Sequence, residues 1–400
     1  MNELGIDLII FVRFGDSQEL GEGTLATAGP RYVHHQTGQP LVGVVNINRD
    51  IKYTKANSFQ YLERVMIHEF THILGFSSFH LNTYFNGIFT KIDMYGKNRT
   101  YINSPKVLAT AKKYFNCDSI EGVELQEYND TGTAGSHWES RILLGDYMNG
   151  IVFTPEQVIS EFTLALLEDT GYYQANYYTG GLMQYGKNKG CDFVNNKCSI
   201  NKNNPSFSNE FYSSSDDMSC SSNRESRAYH IGSFIAFSQH YENILSGERI
   251  TPDNCQVSAE DSTEGQNIYY VGHCSLMGIS GEYGSRSHSK SSEIKDKTKE
   301  EYSSNSFCVL SSLISKTIAN YNVYSNTFRA VCYKMHCSDK SLTIQINNDF
   351  IVCPREGGNI DAINYDGKLA CPDYNLICAG TVLCNDLFDC VEKKSLLKDN

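Results

Sequence analysis

Between Tyr61 and Leu74 the residues Tyr61, Leu62, Val65, Met66, Phe70, Ile73 and Leu74 recur at three- and four-residue spacing. That period lines one face of an α-helix. Asn57 or Ser58 can cap its start, no proline interrupts it, and Gly75 offers a stop and a bend. Two earlier stretches, Asp7 to Phe14 and Leu41 to Ile47, are short and rich in Val and Ile, and read as strands. Ser104 to Phe115 and Pro155 to Thr170 read as further helices, the second with Thr154 as cap and Pro155 in its first turn. Gly281 to Ser306 is rich in Ser, Lys, Glu and Gly, with mixed charge, and reads as an exposed loop. No internal repeat is visible.

The first helix carries His68-Glu69-Phe70-Thr71-His72-Ile73-Leu74-Gly75-Phe76. Histidines four apart share a helix face, so both imidazoles can reach one metal ion, and Glu69 sits beside the first as a candidate general base. The bend at Gly75 lets a third ligand arrive from downstream. A histidine three residues past the glycine would suit a compact site, but Ser78 stands there. His80 comes two residues late and reads as an ordinary loop histidine. A carboxylate ligand would need a second helix, and nothing between Phe79 and Tyr101 reads as one. His137, in Gly135-Ser136-His137-Trp138-Glu139, is the better candidate, beside the only tryptophan of the chain. Met148 follows in the glycine-flanked turn Gly145-Asp146-Tyr147-Met148-Asn149-Gly150, placed to pack beneath the metal rather than bind it.

These segments, in this order, resemble the leishmanolysin family of zinc metalloproteases, metzincins with a long insertion before the third histidine. Phe162 to Tyr173 resembles the helix that follows the family's methionine turn, and Gly190-Cys191-Asp192-Phe193 continues the match. Val352-Cys353-Pro354, Leu369 to Asp373 and Ile377-Cys378 resemble its cysteine-rich tail. The resemblance implies an α+β fold: a metzincin-type zincin core of mixed sheet and active-site helix, followed by a disulfide-rich C-terminal region. It implies one catalytic Zn2+ held by His68, His72 and His137, Glu69 as the base, and Met148 as the methionine turn. It implies endopeptidase action on protein or peptide substrates, secreted or at a cell surface. The expected division is residues 1–75 ending in the active-site helix, 76–190 with the insertion, third ligand and methionine turn, and 191–400 as the cysteine-rich domain. In zincins the strand before the active-site helix can pair with an extended substrate. Gly43, Val44, Val45 and Asn46, in the stretch Gly43 to Asn48, are the candidates for that edge, with an ordinary sheet strand as the alternative. The chain departs from the family at Tyr212, His230 and Arg31, where the resemblance leads one to look for cysteines.

Composition agrees with this placement. Four hundred residues allow two or three domains, and a hydrophobic content of 40% is enough to bury a core. A net charge of −12 argues against nucleic acid or anionic lipid as the main partner. Of 14 cysteines only Cys117 precedes residue 190. That density predicts disulfides formed in an oxidising compartment, with Cys191 and Cys198 a plausible local pair. The competing reading is a structural zinc site drawn from Cys332, Cys337, Cys371 and Cys378. The apolar run Leu8 to Val12 is too short for a membrane span and lacks a basic leader, so a signal and pro-segment are expected to be absent from this chain. The polar end, Lys393 to Asn400, offers no tail for a lipid anchor. Asn98-Arg99-Thr100 and Asn129-Asp130-Thr131 fit the N-glycosylation pattern. Two other classes stay open at this stage: an adhesion protein on a zincin scaffold, and a metal-dependent hydrolase of non-peptide bonds. Retention of every ligand and of Glu69 argues against the first, and the His137 and Met148 pattern against the second.

Overall fold

The computed structural model describes residues 5–21, 24–50, 58–92, 98–126, 134–150, 158–175, 177, 183, 185–196, 199–201, 204–205, 218–220, 227–230, 258–259, 299–301, 306–316, 328–338, 341–372, 374 and 378. Within them the fold is α+β. Strands β1 (Ile9–Gly15), β2 (Ala26–Val33) and β3 (Pro40–Asn48) form a sheet in the order β1-β3-β2. Strand β3 runs parallel to β1 and antiparallel to β2. A one-turn helix α1 (Ser17–Leu20) follows β1, with the Asp16 carboxylate accepting the Glu19 N–H.

This arrangement corrects the expected substrate edge. Strand β3 is bonded on both sides, so Gly43, Val44, Val45 and Asn46 offer no open edge to an extended peptide. The physical reason is legible afterwards. A strand hydrogen-bonded on both sides and covered by a helix reads as a near-continuous apolar run, and Leu41 to Val45 is such a run. Among the described strands of this sheet the edges are β1 and β2.

Helix α2 (Ser58–Leu74) lies on the sheet through Ile73, Met66 and Phe70, packed with Val45, Ile47, Ile10 and Ala28. The approach is close at one point. A Cβ on Gly43 would come within 2.4 Å of Ile73 Cγ2, so only glycine lets the helix settle there. The chain then forms α3 (Ser78–Thr83), an antiparallel sheet of β4 (Ile88–Ile92), β5 (Asn98–Ile102) and β6 (Val123–Glu124), and between the last two α4 (Pro105–Phe115), with Ser104 as its N-cap. Asn98 begins β5 on the surface, while Asn129 lies outside the described residues. Arg31 and His230 lie in strands, and Tyr212 lies outside the described residues.

The short helix α5 (Ser140–Leu143) follows the third histidine, and α6 (Glu161–Asp169) is shorter than the sequence pattern predicts. Thr154 and Pro155 lie outside the described residues, but Val158 is in an extended bridge to Asp146. Its N–H goes to Gly145 and its carbonyl takes the Tyr147 N–H, so the helix cannot include it. Ser160 is the cap instead, its hydroxyl accepting from the N–H groups of Phe162 and Thr163. A large aromatic core built from Tyr114, Phe115, Trp138, Phe162 and Phe193 joins α4, α6 and α7 (Cys191–Asn195).

Cys191 pairs with Cys117, 74 residues earlier, and not with Cys198, which lies outside the described residues. Backbone bonds from Asn188 to the Tyr114 carbonyl and from Gly190 to that of Phe115 bring the start of α7 against the end of α4, so spatial neighbourhood overrides sequence neighbourhood. The C-terminal region holds a second core under a six-stranded antiparallel sheet, in the order 349–353, 342–346, 329–337, 306–311, 369–371 and 358–360. Cys337–Cys378 and Cys353–Cys371 bind its strands, Cys220–Cys308 ties in an earlier strand, and Cys332 is also disulfide-bonded. No thiolate remains for the alternative zinc site at Cys332, Cys337, Cys371 and Cys378. Residues 281–298 lie outside the described residues, but the end of that stretch is packed rather than an exposed loop. Glu300 is buried with its carboxylate accepting the Cys332 N–H, and Ser306 opens a buried strand.

Gly43→Ala should lower stability by about 1–3 kcal/mol, as overpacking against Ile73 forces helix and sheet apart. A reduced denaturant midpoint with an unchanged slope would show it.

Candidate metal centre

Helix α2 puts His68 and His72 one turn apart, and their Nε2 atoms lie 3.1 Å from each other. The His137 Nε2 is also 3.1 Å from that of His68, and the three imidazoles offer ligand atoms all within 4.8 Å. No other such cluster occurs among the described residues. His137 is delivered by an extended segment. Its carbonyl accepts the Gln126 N–H, Trp138 bridges antiparallel to Leu125, and the Glu139 N–H bonds the Glu124 carbonyl. The Glu124 side chain is in turn buried between Arg99, at 2.5 Å, and Arg141, at 3.8 Å.

The far side of each ring is engaged. His68 Nδ1 is 2.5 Å from the Tyr147 carbonyl, and His72 Nδ1 is 2.6 Å from the Phe76 carbonyl. A carbonyl only accepts, so each Nδ1 carries the proton and each Nε2 presents a lone pair to the common centre. His137 Nδ1 lies 3.2 Å from the Ser136 hydroxyl. The lone pairs of His68 and His72 face each other and repel unless a proton or a cation sits between them, and His137 brings its Nε2 to the same centre. Zinc–nitrogen bonds of about 2.0–2.1 Å in a tetrahedral site place ligand nitrogens roughly 3.3 Å apart, close to what is seen. The residues therefore fit a zinc ion. Burial also pulls His72 down to about 3 and lowers His68, which keeps both neutral and available as ligands.

Glu69 is buried beside them, and its Oε2 has no hydrogen-bond partner among the described residues. Burial pushes its carboxyl up to about 8. A buried, unpartnered carboxylate oxygen next to three convergent imidazoles is what a general base for a metal-site water requires.

Below the histidines the turn Gly145–Asn149 is held by its own side chains. Gly145 has φ +92°, which opens the turn. The Asp146 carboxylate accepts the Met148 N–H at 2.6 Å, and Asn149 Oδ1 accepts the Gly145 N–H at 3.0 Å. The Trp138 N–H donates to the Met148 carbonyl, so the residue after the third histidine is bonded to the turn. Met148 itself has no solvent exposure. Burial raises Asp146 to about 6 despite its bonds to Ser160, Met148 and Thr163.

The structure thus brings together His68, His72 and His137, with Glu69 buried on the same helix and Met148 in its buried turn, and leaves Gly43 to Asn46 in the sheet interior. His80 is not the loop histidine expected. It lies in α3 without solvent exposure, against Gly75, Tyr84 and Tyr172, outside the metal cluster. Sequence reasoning missed Thr71, Asp146, Tyr147 and Thr163, which make buried bonds around the site. All four stand inside segments already singled out, and their signal is polar residues at positions where the helix or turn should be apolar.

Because the third imidazole comes from a turn-supported segment and not from a second helix, the fold is of the metzincin type. The chain belongs to the leishmanolysin family, whose sequence profile matches residues 3–384. It is 29% identical over 394 residues to a leishmanolysin homolog of Crithidia fasciculata, covering 94% of this chain and 56% of that protein. It is 26% identical to a leishmanolysin-like peptidase of Caenorhabditis briggsae, covering 95% of this chain and 67% of the relative. It is also 26% identical to a ciliated left-right organizer metallopeptidase of Danio rerio, covering 86% and 51%. The chain spans about half the length of several of the curated relatives it matches.

An unfolded chain protonates His72 near 6.5, whereas the fold keeps it neutral down to about 3. At this residue the unfolded state therefore binds more protons in that window, so His72 withdraws stability from the metal-free protein as pH falls from 6.5 towards 3, while the raised carboxyls of Glu69 and Asp146 act in the opposite sense. Thermal unfolding of the metal-free parent and of His72→Gln between pH 7 and pH 4 should isolate this contribution: the variant should gain stability relative to the parent as pH falls.

Proposed function

We propose that this chain is a zinc-dependent endopeptidase that hydrolyses peptide bonds in proteins, with His68, His72 and His137 as the ligands, Glu69 as general base and Met148 as the floor of the site. One observation carries the reading: three imidazole Nε2 atoms converge, and on the helix that bears two of them a buried carboxylate oxygen has no partner among the described residues.

When bound, zinc supplies Lewis acidity and lowers the pKa of a water to about 7. Glu69 would take the proton of a water attacking the scissile carbonyl. Burial alone would keep Glu69 protonated at neutral pH, and the divalent charge of the ion favours its carboxylate. The same raised proton affinity lets Glu69 hold the proton after attack and deliver it to the leaving nitrogen. The Tyr147 and Phe76 carbonyls keep the two helix imidazoles in one tautomer throughout. No side chain needs to form a covalent intermediate.

The reading extends to placement. Disulfides at Cys117–Cys191, Cys220–Cys308, Cys337–Cys378 and Cys353–Cys371 support folding in an oxidising compartment, and so an extracellular or cell-surface protein. Asn98 is exposed and accessible to a glycan, and Asn129 is the second acceptor proposed. Among the described residues no helix is long and apolar enough to cross a membrane.

The purified, oxidatively folded protein should hydrolyse casein. Glu69→Ala should lower kcat by roughly 10²–10⁴-fold while one zinc per chain remains. Absence of hydrolysis by a folded, zinc-loaded parent would overturn the assignment.

A further inference from the structure

Tyr147 touches the active-site helix at two points. Its carbonyl accepts the Nδ1–H of His68, and its hydroxyl lies 2.8 Å from Thr71 Oγ1. Thr71 Oγ1 is also 2.8 Å from the Ile67 carbonyl. The protons can be assigned without ambiguity. A carbonyl has none to give, so the single hydroxyl proton of Thr71 goes to Ile67. The phenol must then be the donor to Thr71, and the chain runs in one direction, from Tyr147 to Thr71 to Ile67. Both hydroxyl residues are buried, and burial holds the phenol protonated.

The neighbouring residue makes the matching connection to the other ligand. The indole N–H of Trp138, next to His137, donates to Thr163 Oγ1 at 2.8 Å. The Thr163 hydroxyl then donates to the Asp146 carboxylate at 3.1–3.2 Å. Adjacent residues of one turn are therefore tied separately to the helix that bears two ligands and to the segment that bears the third.

We propose that Tyr147 is a positioning residue for the metal centre, its hydroxyl anchored on Thr71 so that its carbonyl holds the ring plane and tautomer of His68. The hydroxyl touches neither a ligand nor the metal position. It acts by fixing the orientation of the residue whose carbonyl meets His68. His68 and Thr71 are neighbours on one helix face, so the two contacts form a clip across a single turn of α2. The inference rests on the reading of the site as a zinc centre.

The test compares the parent with Tyr147→Phe, Thr71→Val, Thr71→Ser and the Tyr147→Phe/Thr71→Val pair. Zinc affinity is read by chelator competition, the metal-free thermal midpoint by calorimetry, and the ligand geometry by the visible spectrum of the cobalt-substituted protein. Tyr147→Phe and Thr71→Val should each weaken zinc about tenfold, the usual scale for outer-shell partners, and shift the cobalt bands. Thr71→Ser should restore both readouts, and the double variant should lose no more than either single one. Thr71→Val strands the phenol proton in the core and can fail to fold. Tyr147→Phe strands no donor, since Thr71 keeps its bond to Ile67, and it then decides alone. A lowered metal-free midpoint with parental zinc affinity and cobalt spectrum would reduce the contact to a structural one and overturn the proposal. A folded parent that binds no zinc would instead overturn the reading beneath it.

Discussion

The structure depends on a crowded arrangement held in place: three imidazoles converge in a largely dehydrated site, the Nε2 atoms of His72 and His137 each 3.1 Å from that of His68. The geometry of that cluster is imposed from behind, by carbonyls of Tyr147 and Phe76 that admit only one tautomer at His68 and His72. Those carbonyls belong to a turn and to a helix exit, and each is fixed by further buried bonds. The rest of the fold can be read outward from them.

Two scaffolds meet at the site. The sheet β1-β3-β2 carries α2, and the closeness of that contact is set by the missing side chain at Gly43. The aromatic core around Trp138 and Phe162 carries the methionine turn and the third histidine. The buried Glu124 carboxylate, between Arg99 and Arg141, anchors the segment that leads into His137. Such a buried group is costly to break and adds little net stability, so its contribution is to fix the path of the chain more than to strengthen it.

The parts legible in the sequence were those governed by local rules. Helix α2 follows from its period, and the two helix histidines from that helix. Strand β1 and helix α4 follow from composition and capping. His137 and Met148 were found by resemblance, because no local rule links residues 65 to 80 positions apart. What failed had non-local causes. The stretch that forms β3 reads equally as a substrate edge or an ordinary sheet strand, because which strands flank it is set by tertiary contacts. Pro155 suggested a helix start, but the backbone of Val158 is committed to the methionine turn, and that pairing is invisible in a linear reading. Cys198 looked like the partner of Cys191 through proximity in sequence, whereas α4 and α7 bring Cys117 to it. His80 looked like a surface residue because its two aromatic neighbours, Tyr84 and Tyr172, come from separate segments.

The Cys117–Cys191 bond closes a covalent ring between residues 74 apart in sequence. His137, the methionine turn and α6 lie inside that ring, and His68 and His72 lie outside it. Its closure removes about 4 kcal/mol of chain entropy from the unfolded state. It also changes what a single cut can do. A peptide bond hydrolysed anywhere between Cys117 and Cys191 leaves both new ends attached to the same body, so the third imidazole cannot diffuse away. If the proposed peptidase activity turned on the chain itself, the ring would keep the segment that completes the metal site attached after a single cut.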